Sequence, residues 1–207
     1  KSLKIKNADE AKKIETEIKD NILKVDNFSK KSTTKSALPP FKTSTLQQEA
    51  SRRFGFGSKR TMRIAQSLYE GVEMPGRGPT GLITYMRTDS LRIAPEAISA
   101  AREYIEKELG KEYLPTKANE YKDKANIQDG HEAIRATDPS LTPESIKEFL
   151  SPEQYSLYNL IWSRFIASQT EAARISRSTI TCSSGDYTLK QAGIVVDFDG
   201  WGKLYPL

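Results

Sequence analysis

The chain has 207 residues, 37% hydrophobic and 29% charged. That is the balance of one large or two modest soluble globular domains, and no run approaches the roughly 18 apolar residues of a membrane helix. Cys182 is the only cysteine, which excludes an intrachain disulfide and a cysteine zinc cluster and fits a reducing cytoplasm. The formal net charge of +5 is a mild pointer to a polyanionic partner.

The sequence opens Lys1-Ser2-Leu3-Lys4 with no starting Met and no apolar core behind it, so no signal peptide is expected and the chain reads as a piece of something longer. Residues 7–20 predict a helix: Asn7 and Glu10 have capping-box spacing, and Ala11, Ile14 and Ile18 share a face. Residues 22–28 alternate as a strand, and Lys30 to Pro40, polar, basic and ending in Pro-Pro, predicts an extended connector between two structural units. Ser44 and Gln47 are placed to box the start of a helix carrying Leu46, Ala50 and Phe54, which Gly55 and Gly57 end. Ser58 is expected to cap a second helix with Met62, Ala65 and Leu68 inward. Between Lys42 and Arg63 the bases are Lys42, Arg52, Arg53, Lys59, Arg60 and Arg63, against the single acid Glu49.

Gly71, Pro75, Gly76, Gly78 and Pro79 mark 71–81 as a loop, followed by a short apolar run over 82–86. Pro95 starts a helix that runs to Gly110, with Ile98, Ala101, Ile105 and Leu109 on one stripe. Thr142-Pro143 and Ser151-Pro152 read as a cap followed by a first helical residue; the second opens a long helix with Tyr155, Tyr158, Trp162, Phe165 and Gln169 on one side. After Ala173 the period changes to two: 174–182 alternates, Ser184-Gly185-Asp186 turns, and 187–192 and 194–198 read as strands. The simplest architecture is α+β, a helical domain over 42–172 inserted into a mainly β domain built from 1–41 and 173–207. There is no internal repeat.

The first segment with candidate chemistry is Ile83-Thr84-Tyr85-Met86-Arg87-Thr88-Asp89-Ser90. A tyrosine hydroxyl, with a pKa of about 10, needs help to act as a nucleophile. The guanidinium of Arg87 can hold a phosphate bidentately and favour the charge that develops in phosphoryl transfer. In extended backbone, positions i and i+2 point the same way, which brings Tyr85 and Arg87 to one site; the bland alternative is a buried strand tyrosine and a surface arginine. At the second helix start, free backbone N–H groups combine with Ser58, Lys59 and Arg60 in a natural phosphate-binding arrangement, against an ordinary capped helix with solvated bases.

Residues 128–135 (QDGHEAIR) hold the only histidine, His131. The HExx pattern suggests a zinc protease, but Arg135 stands where the second ligand is needed, which argues against metal binding. A protonated His131 beside Arg135 suits a phosphate; the alternative is a structural histidine. Asp197-Phe198-Asp199 has the D-x-D form that can hold Mg²⁺, yet it ends a strand just before Gly200-Trp201-Gly202 and reads as turn-forming.

Together these segments resemble the bacterial type IA DNA topoisomerases. GLITYMRTDS at 81–90 is similar to the family's active-site segment, with Tyr85 at the tyrosine position. PPFKTSTLQQEASRRFGFGSKRTMRIAQSLYEG at 39–71 resembles the sequence preceding it, QDGHEAIRATDP at 128–139 a third block, and DFDGW at 197–201 the return into the second domain. The blocks come in family order over nearly the whole chain, which is far more specific than any one of them. Met86-Arg87 resembles the topoisomerase I branch; the topoisomerase III branch commonly has proline at the position of Met86.

The resemblance implies a helical gate domain inserted into a β arch. It also implies a mechanism, in which Tyr85 attacks a backbone phosphorus of single-stranded DNA and leaves a 5′-phosphotyrosine and a free 3′-hydroxyl. The gate then swings, the other strand passes, and the nick closes without ATP, so negative supercoils relax one step at a time. It gives Arg87 the role of stabilising the transferring phosphoryl group, places His131 near the active site and Ser58 at a DNA-facing helix start, and matches Glu70 to an acidic residue near the site. Lys59, Arg60 and Arg135 are expected to bind DNA.

The family places Mg²⁺ on an acidic cluster of a Toprim domain, which this chain does not show; nor does it show the DNA-binding groove domain or zinc modules. No metal is therefore expected on this chain itself, and alone it is expected neither to cleave nor to relax DNA efficiently. The expected partners are single-stranded or negatively supercoiled DNA and the Toprim and groove domains of the same polypeptide, with no membrane, in the cytoplasm at the nucleoid. Competing readings are a single-strand-binding or hinge module without covalent chemistry, and a helical scaffold for protein partners.

Overall fold

The computed structural model describes residues 3–121 and 130–206. In chain order these form α1 (Ala8–Asp20), β1 (Lys24–Lys35), α2 (Thr43–Phe54), α3 (Ser58–Glu70), β2 (Val72–Met74), β3 (Gly78–Thr80), α4 (Pro95–Glu108), α5 (Pro152–Ser168), β4 (Ala173–Ser184) and β5 (Tyr187–Phe198). Short 3-10 turns lie at Lys111–Tyr113, Glu144–Phe149 and Gly200–Lys203. Among the described residues no helix is long and apolar enough to cross a membrane.

The chain divides into two compact units, one of Lys1–Lys35 with Arg174–Phe198 and one of Ser36–Ala173 with Asp199–Leu207. These limits differ from those read in the sequence. Residues 36–41 and 199–207 go with the helices because Phe41, Trp201 and Tyr205 are buried in the helical core.

In the first unit β1, β4 and β5 form a sheet in that order, with β5 at an edge. β4 and β5 pair antiparallel from Arg174 opposite Phe198 to Ser184 opposite Tyr187. Gly185, at φ 55°, takes the left-handed conformation the tight turn requires. Gly193 does not divide the second strand: it stays in register opposite Ser178. The connector expected over 30–40 begins later than its polarity suggested, because β1 runs to Lys35; the Ser32 hydroxyl bonds that of Ser176 (3.2 Å) and the Thr33 hydroxyl donates to the Ile175 carbonyl (3.3 Å). Asn7 caps α1, accepting from the Glu10 N–H at 2.8 Å, but the box is not closed, because the Glu10 carboxylate accepts from the Lys6 N–H at 2.7 Å. The Ser184 hydroxyl ties the hairpin turn to the Ile18 carbonyl. β1 buries nothing, and near the end of β5 Ile194, Val195 and Val196 are all exposed.

The second unit is built on α5. Its capping box is complete: Ser151 Oγ accepts from the Gln154 N–H, and Gln154 Oε1 accepts from the Ser151 N–H. Leu157, Tyr158, Ile161, Trp162, Phe165 and Ile166 are buried, and α3 packs on α5 through a face of Ile64, Ala65 and Leu68. Each large apolar side chain so buried contributes about 1.5–3 kcal/mol.

Two helix starts differ from the sequence reading. α2 begins at Thr43, and the Lys42 N–H is met by Thr45 Oγ1 at 3.1 Å, not through Ser44 and Gln47. Gly57 is the N-cap of α3, so Ser58 is its first helical residue. The stretch 71–81, expected to be a loop, is mostly the hairpin β2–β3, because Val72 and Met74 alternate inward to the core. Beside it three extended stretches meet: Phe41 bridges Ile134, and Ile83 bridges Ala136. This framework carries the candidate site.

Candidate active site

Tyr85 follows the apolar run that the core holds. Leu82 and Ile83 are buried, and the Leu82 N–H donates to the Leu68 carbonyl at 2.8 Å, fastening the run to the end of α3. A Cβ on Gly81 would stand 2.8 Å from the Tyr69 carbonyl oxygen, so only glycine permits this approach. Thr84 binds the third block twice over. Its N–H donates to the Arg135 carbonyl (3.0 Å), while its hydroxyl donates to the Ala133 carbonyl (2.7 Å) and accepts from the Arg135 N–H (3.0 Å). That staple brings His131 to Tyr85: the ring centroids lie 4.8 Å apart at 38°. Tyr69 also meets the Tyr85 ring, edge-on at 5.5 Å. The Tyr85 ring is half-buried, supported at its base by the core.

Met86 is fully buried, Arg87 exposed and Thr88 buried. The backbone bends at Met86 and Arg87, where extended backbone was expected. Tyr85 faces His131 and Tyr69, whereas Arg87 lines a groove of about 370 Å³ with Thr43, Ser44, Gln47, Thr88 and Asp89. Ser44 and Gln47 also line a second groove of about 480 Å³, with Gln48, Ser51, Arg52 and Ser58. The two form a polar trough that starts at the N-terminus of α2 and ends at that of α3, both positive ends of helix dipoles. Among the described residues neither the Tyr85 hydroxyl nor the Arg87 guanidinium has a hydrogen-bond or ion-pair partner.

The remaining expected residues are placed as follows. Ser58 lines the trough and Lys59 is exposed. Arg60 pairs with Glu153 and stacks 4.6 Å over the Phe56 ring. Glu70, at the end of α3, accepts from Gln66 Nε2 at 2.5 Å. Arg135 does not reach outward as expected of a DNA contact. It is 9% exposed, its Nε and Nη2 both bond Glu132 Oε2 at 2.7 Å, its Nη1 donates to the Ala136 carbonyl, and it lies over Phe165.

Asp197 accepts from the Ser176 hydroxyl and Asp199 from the Tyr113 hydroxyl. Gln128 and Asp129 of the third block lie outside the described residues. Among the described residues no group of three or more His, Cys, Asp or Glu side chains is placed to hold a metal ion. A cavity of about 460 Å³ between α4 and residues 138–142 is lined by Glu103, Glu108 and Asp138 against a single base, Lys107; that charge repels a phosphate.

Sequence reasoning missed Thr43 and Tyr69, and it placed Gln47 at a helix start without a trough to line. Thr43 and Gln47 belong to a helix whose apolar spacing was visible, but no local signal says that its first turn faces a segment some forty positions on. Tyr69, near the end of α3, carries no local signal that its ring meets a residue sixteen positions on.

Comparison with known proteins names the class to which this fold belongs. The whole chain, residues 1–207, matches the family model described as DNA topoisomerase, and the chain belongs to that family. It is 47% identical to "DNA topoisomerase 1" of Haemophilus influenzae over 182 residues, which is 88% of this chain and 20% of that protein. It is 44% identical to "DNA topoisomerase 1" of Campylobacter jejuni over 204 residues, 98% of this chain and 29% of that one. The solved structure of full-length topoisomerase I from Thermotoga maritima has the same fold, with a TM-score of 0.83 at 36% identity, covering 100% of this chain and 33% of that one. The chain therefore spans between a fifth and a third of the length of these relatives.

Proposed function

We propose that this chain is the tyrosine-bearing part of a longer bacterial type IA DNA topoisomerase, with the helical unit as its gate and the β unit as its arch. The observation that carries this reading is the Tyr85 hydroxyl. It has no partner among the described residues, its ring packs against those of His131 and Tyr69, and Arg87 two positions on lines the polar trough.

Single-stranded DNA lies along the trough, its phosphates met by Arg87, Ser58, Lys59 and the two helix N-termini. Tyr85 Oη attacks phosphorus as the P–O3′ bond breaks. The phenol gives up its proton, the departing 3′-oxygen gains one, and the 5′-phosphate is left on tyrosine. One phosphoester replaces another, so reversal reseals the strand without ATP. Arg87 offsets charge on the phosphoryl oxygens, and His131 backs the tyrosine ring. Between cleavage and resealing, passage of the other strand relaxes negative supercoils.

The described residues do not assemble a metal site, so no step here runs through one. Mg²⁺ belongs, on this reading, to a Toprim domain elsewhere in the longer polypeptide, and the enzyme acts in the cytoplasm at the nucleoid. This chain alone neither cleaves nor relaxes DNA efficiently.

Two substitutions in the full-length polypeptide test the reading. Tyr85→Phe abolishes covalent capture of a labelled single-stranded oligonucleotide. Arg87→Ala slows cleavage by about 10²–10³-fold, the scale of losing one transition-state donor. Covalent capture by the Tyr85→Phe protein would instead favour a single-strand-binding or hinge module with no chemistry of its own. DNA affinity that does not fall with salt would remove the phosphate contacts from both readings.

A further inference from the structure

We propose that Thr43 is a positioning residue for Arg87, holding the backbone on both sides of the guanidinium-bearing residue to the first turn of α2. This deepens the reading of Arg87 given above and rests on it. The Thr43 N–H donates to the Thr88 carbonyl at 2.9 Å. Its hydroxyl hydrogen is shared between the Met86 carbonyl at 2.8 Å and the Thr88 carbonyl at 3.0 Å, while its oxygen accepts from the Thr88 N–H at 2.9 Å. Each bond lands on the residue before Arg87 or the residue after it.

The Thr43 hydroxyl is not needed for local capping, since the Lys42 N–H is met by Thr45 Oγ1. It is turned instead across the fold, toward a segment more than forty positions along the chain. The buried side chains of Met86 and Thr88 fix the segment from below, so the bend at Arg87 is held and only its side-chain rotations stay open. The backbone that carries the guanidinium thus has its ordering cost met during folding, and only the side chain is left to order when DNA arrives. Thr43 is also the first residue of the helix whose opening residues supply Ser44 and Gln47 to the trough. It therefore ties the trough wall and the phosphoryl-stabilising arginine into one body.

The experiment is a double-mutant cycle in the full-length polypeptide. It measures single-turnover cleavage of a labelled single-stranded oligonucleotide at saturating DNA with Mg²⁺, and DNA affinity in a Tyr85→Phe background. Thr43→Val, of similar shape without the hydroxyl, is expected to lower the cleavage rate about tenfold or more while affinity changes less than about threefold. Thr43→Ser is expected to restore the rate. In an Arg87→Ala background, Thr43→Val is expected to have no further effect, a result that general loosening of the fold does not produce. If Thr43→Val does not fold, Thr43→Ala takes its place in the cycle, with the melting temperature measured alongside. Slow cleavage by Arg87→Ala with Thr43 effects that multiply, or no rescue by serine, overturns the inference and leaves the reading of Arg87 standing. Wild-type cleavage by Arg87→Ala overturns both.

Discussion

Two threonine hydroxyls bracket the segment from Tyr85 to Arg87, each both donating and accepting. Thr43 holds residues 86 and 88, and Thr84 holds residues 133 and 135. Thr84→Val keeps the shape but leaves the Ala133 carbonyl and the Arg135 N–H without that partner. The expected cost is about 1–3 kcal/mol, read as a lower urea midpoint at unchanged slope. An unchanged midpoint would show that the staple carries no weight. At this scale the sequence singles out residues whose chemistry leaves them little else to do: Tyr85, Arg87 and Ser58 stand out by type and spacing, and His131 by being alone. It misled at Arg135, whose charge suggested a DNA contact. Glu132, three positions earlier, takes the guanidinium inward, and Phe165, thirty positions later, covers it. The first partner was visible at helical spacing; the second exists only once the chain has folded.

Among the elements, α2 is fixed to the C-terminal segment by Glu49. Its carboxylate accepts from Arg52 (2.7 Å), Arg53 (2.9 Å) and Tyr205 (2.9 Å). Burial raises the pKa of this carboxyl, but the three hydrogen bonds together outweigh it and lower the value from 4.5 to about 2. The folded state therefore binds the proton less readily than the unfolded chain. The stabilisation is complete above about pH 4.5 and is lost as pH falls from there toward 2. Urea midpoints measured across that window are expected to fall more steeply for the wild type than for Glu49→Gln; parallel curves would remove Glu49 from the account. Gly81 makes a second element-scale case. Gly81→Ala pushes a methyl against the Tyr69 carbonyl, with an expected loss of about 1–3 kcal/mol from overpacking, measured by thermal melting.

The helices were legible because apolar spacing and capping pairs are local. α5, with its complete box, is the clearest of them. The hairpin at 72–80 was not, since glycine and proline punctuation describes both a loop and a tight pair of short strands. What decided between them was the core, waiting for Val72 and Met74.

On the scale of the molecule, the interruption of one unit by another was visible as a change of period, from two to helical and back. The crossing points were not, because Phe41, Trp201 and Tyr205 declare their side only by where they are buried. The helical unit also gives up and regains the chain at neighbouring points: the Trp201 N–H donates to the Glu171 carbonyl at 2.9 Å. A short Gly-Ser linker in place of 174–198, with 1–35 removed, is therefore expected to leave a cooperatively folding helical unit. Near-ultraviolet circular dichroism of its buried Trp162 and Trp201 reports the outcome. A non-cooperative melt would mean that the two units fold only together.

The border of the sheet has a practical consequence at the bench. β5 ends the strand order, with Ile194, Val195 and Val196 open to water on alternating faces. A backbone rim of that kind is a template for the same rim on another copy. Concentrated stocks of this chain are accordingly expected to turn cloudy on storage, with scattering that climbs with protein concentration, and a lysine in place of Val195 should keep them clear.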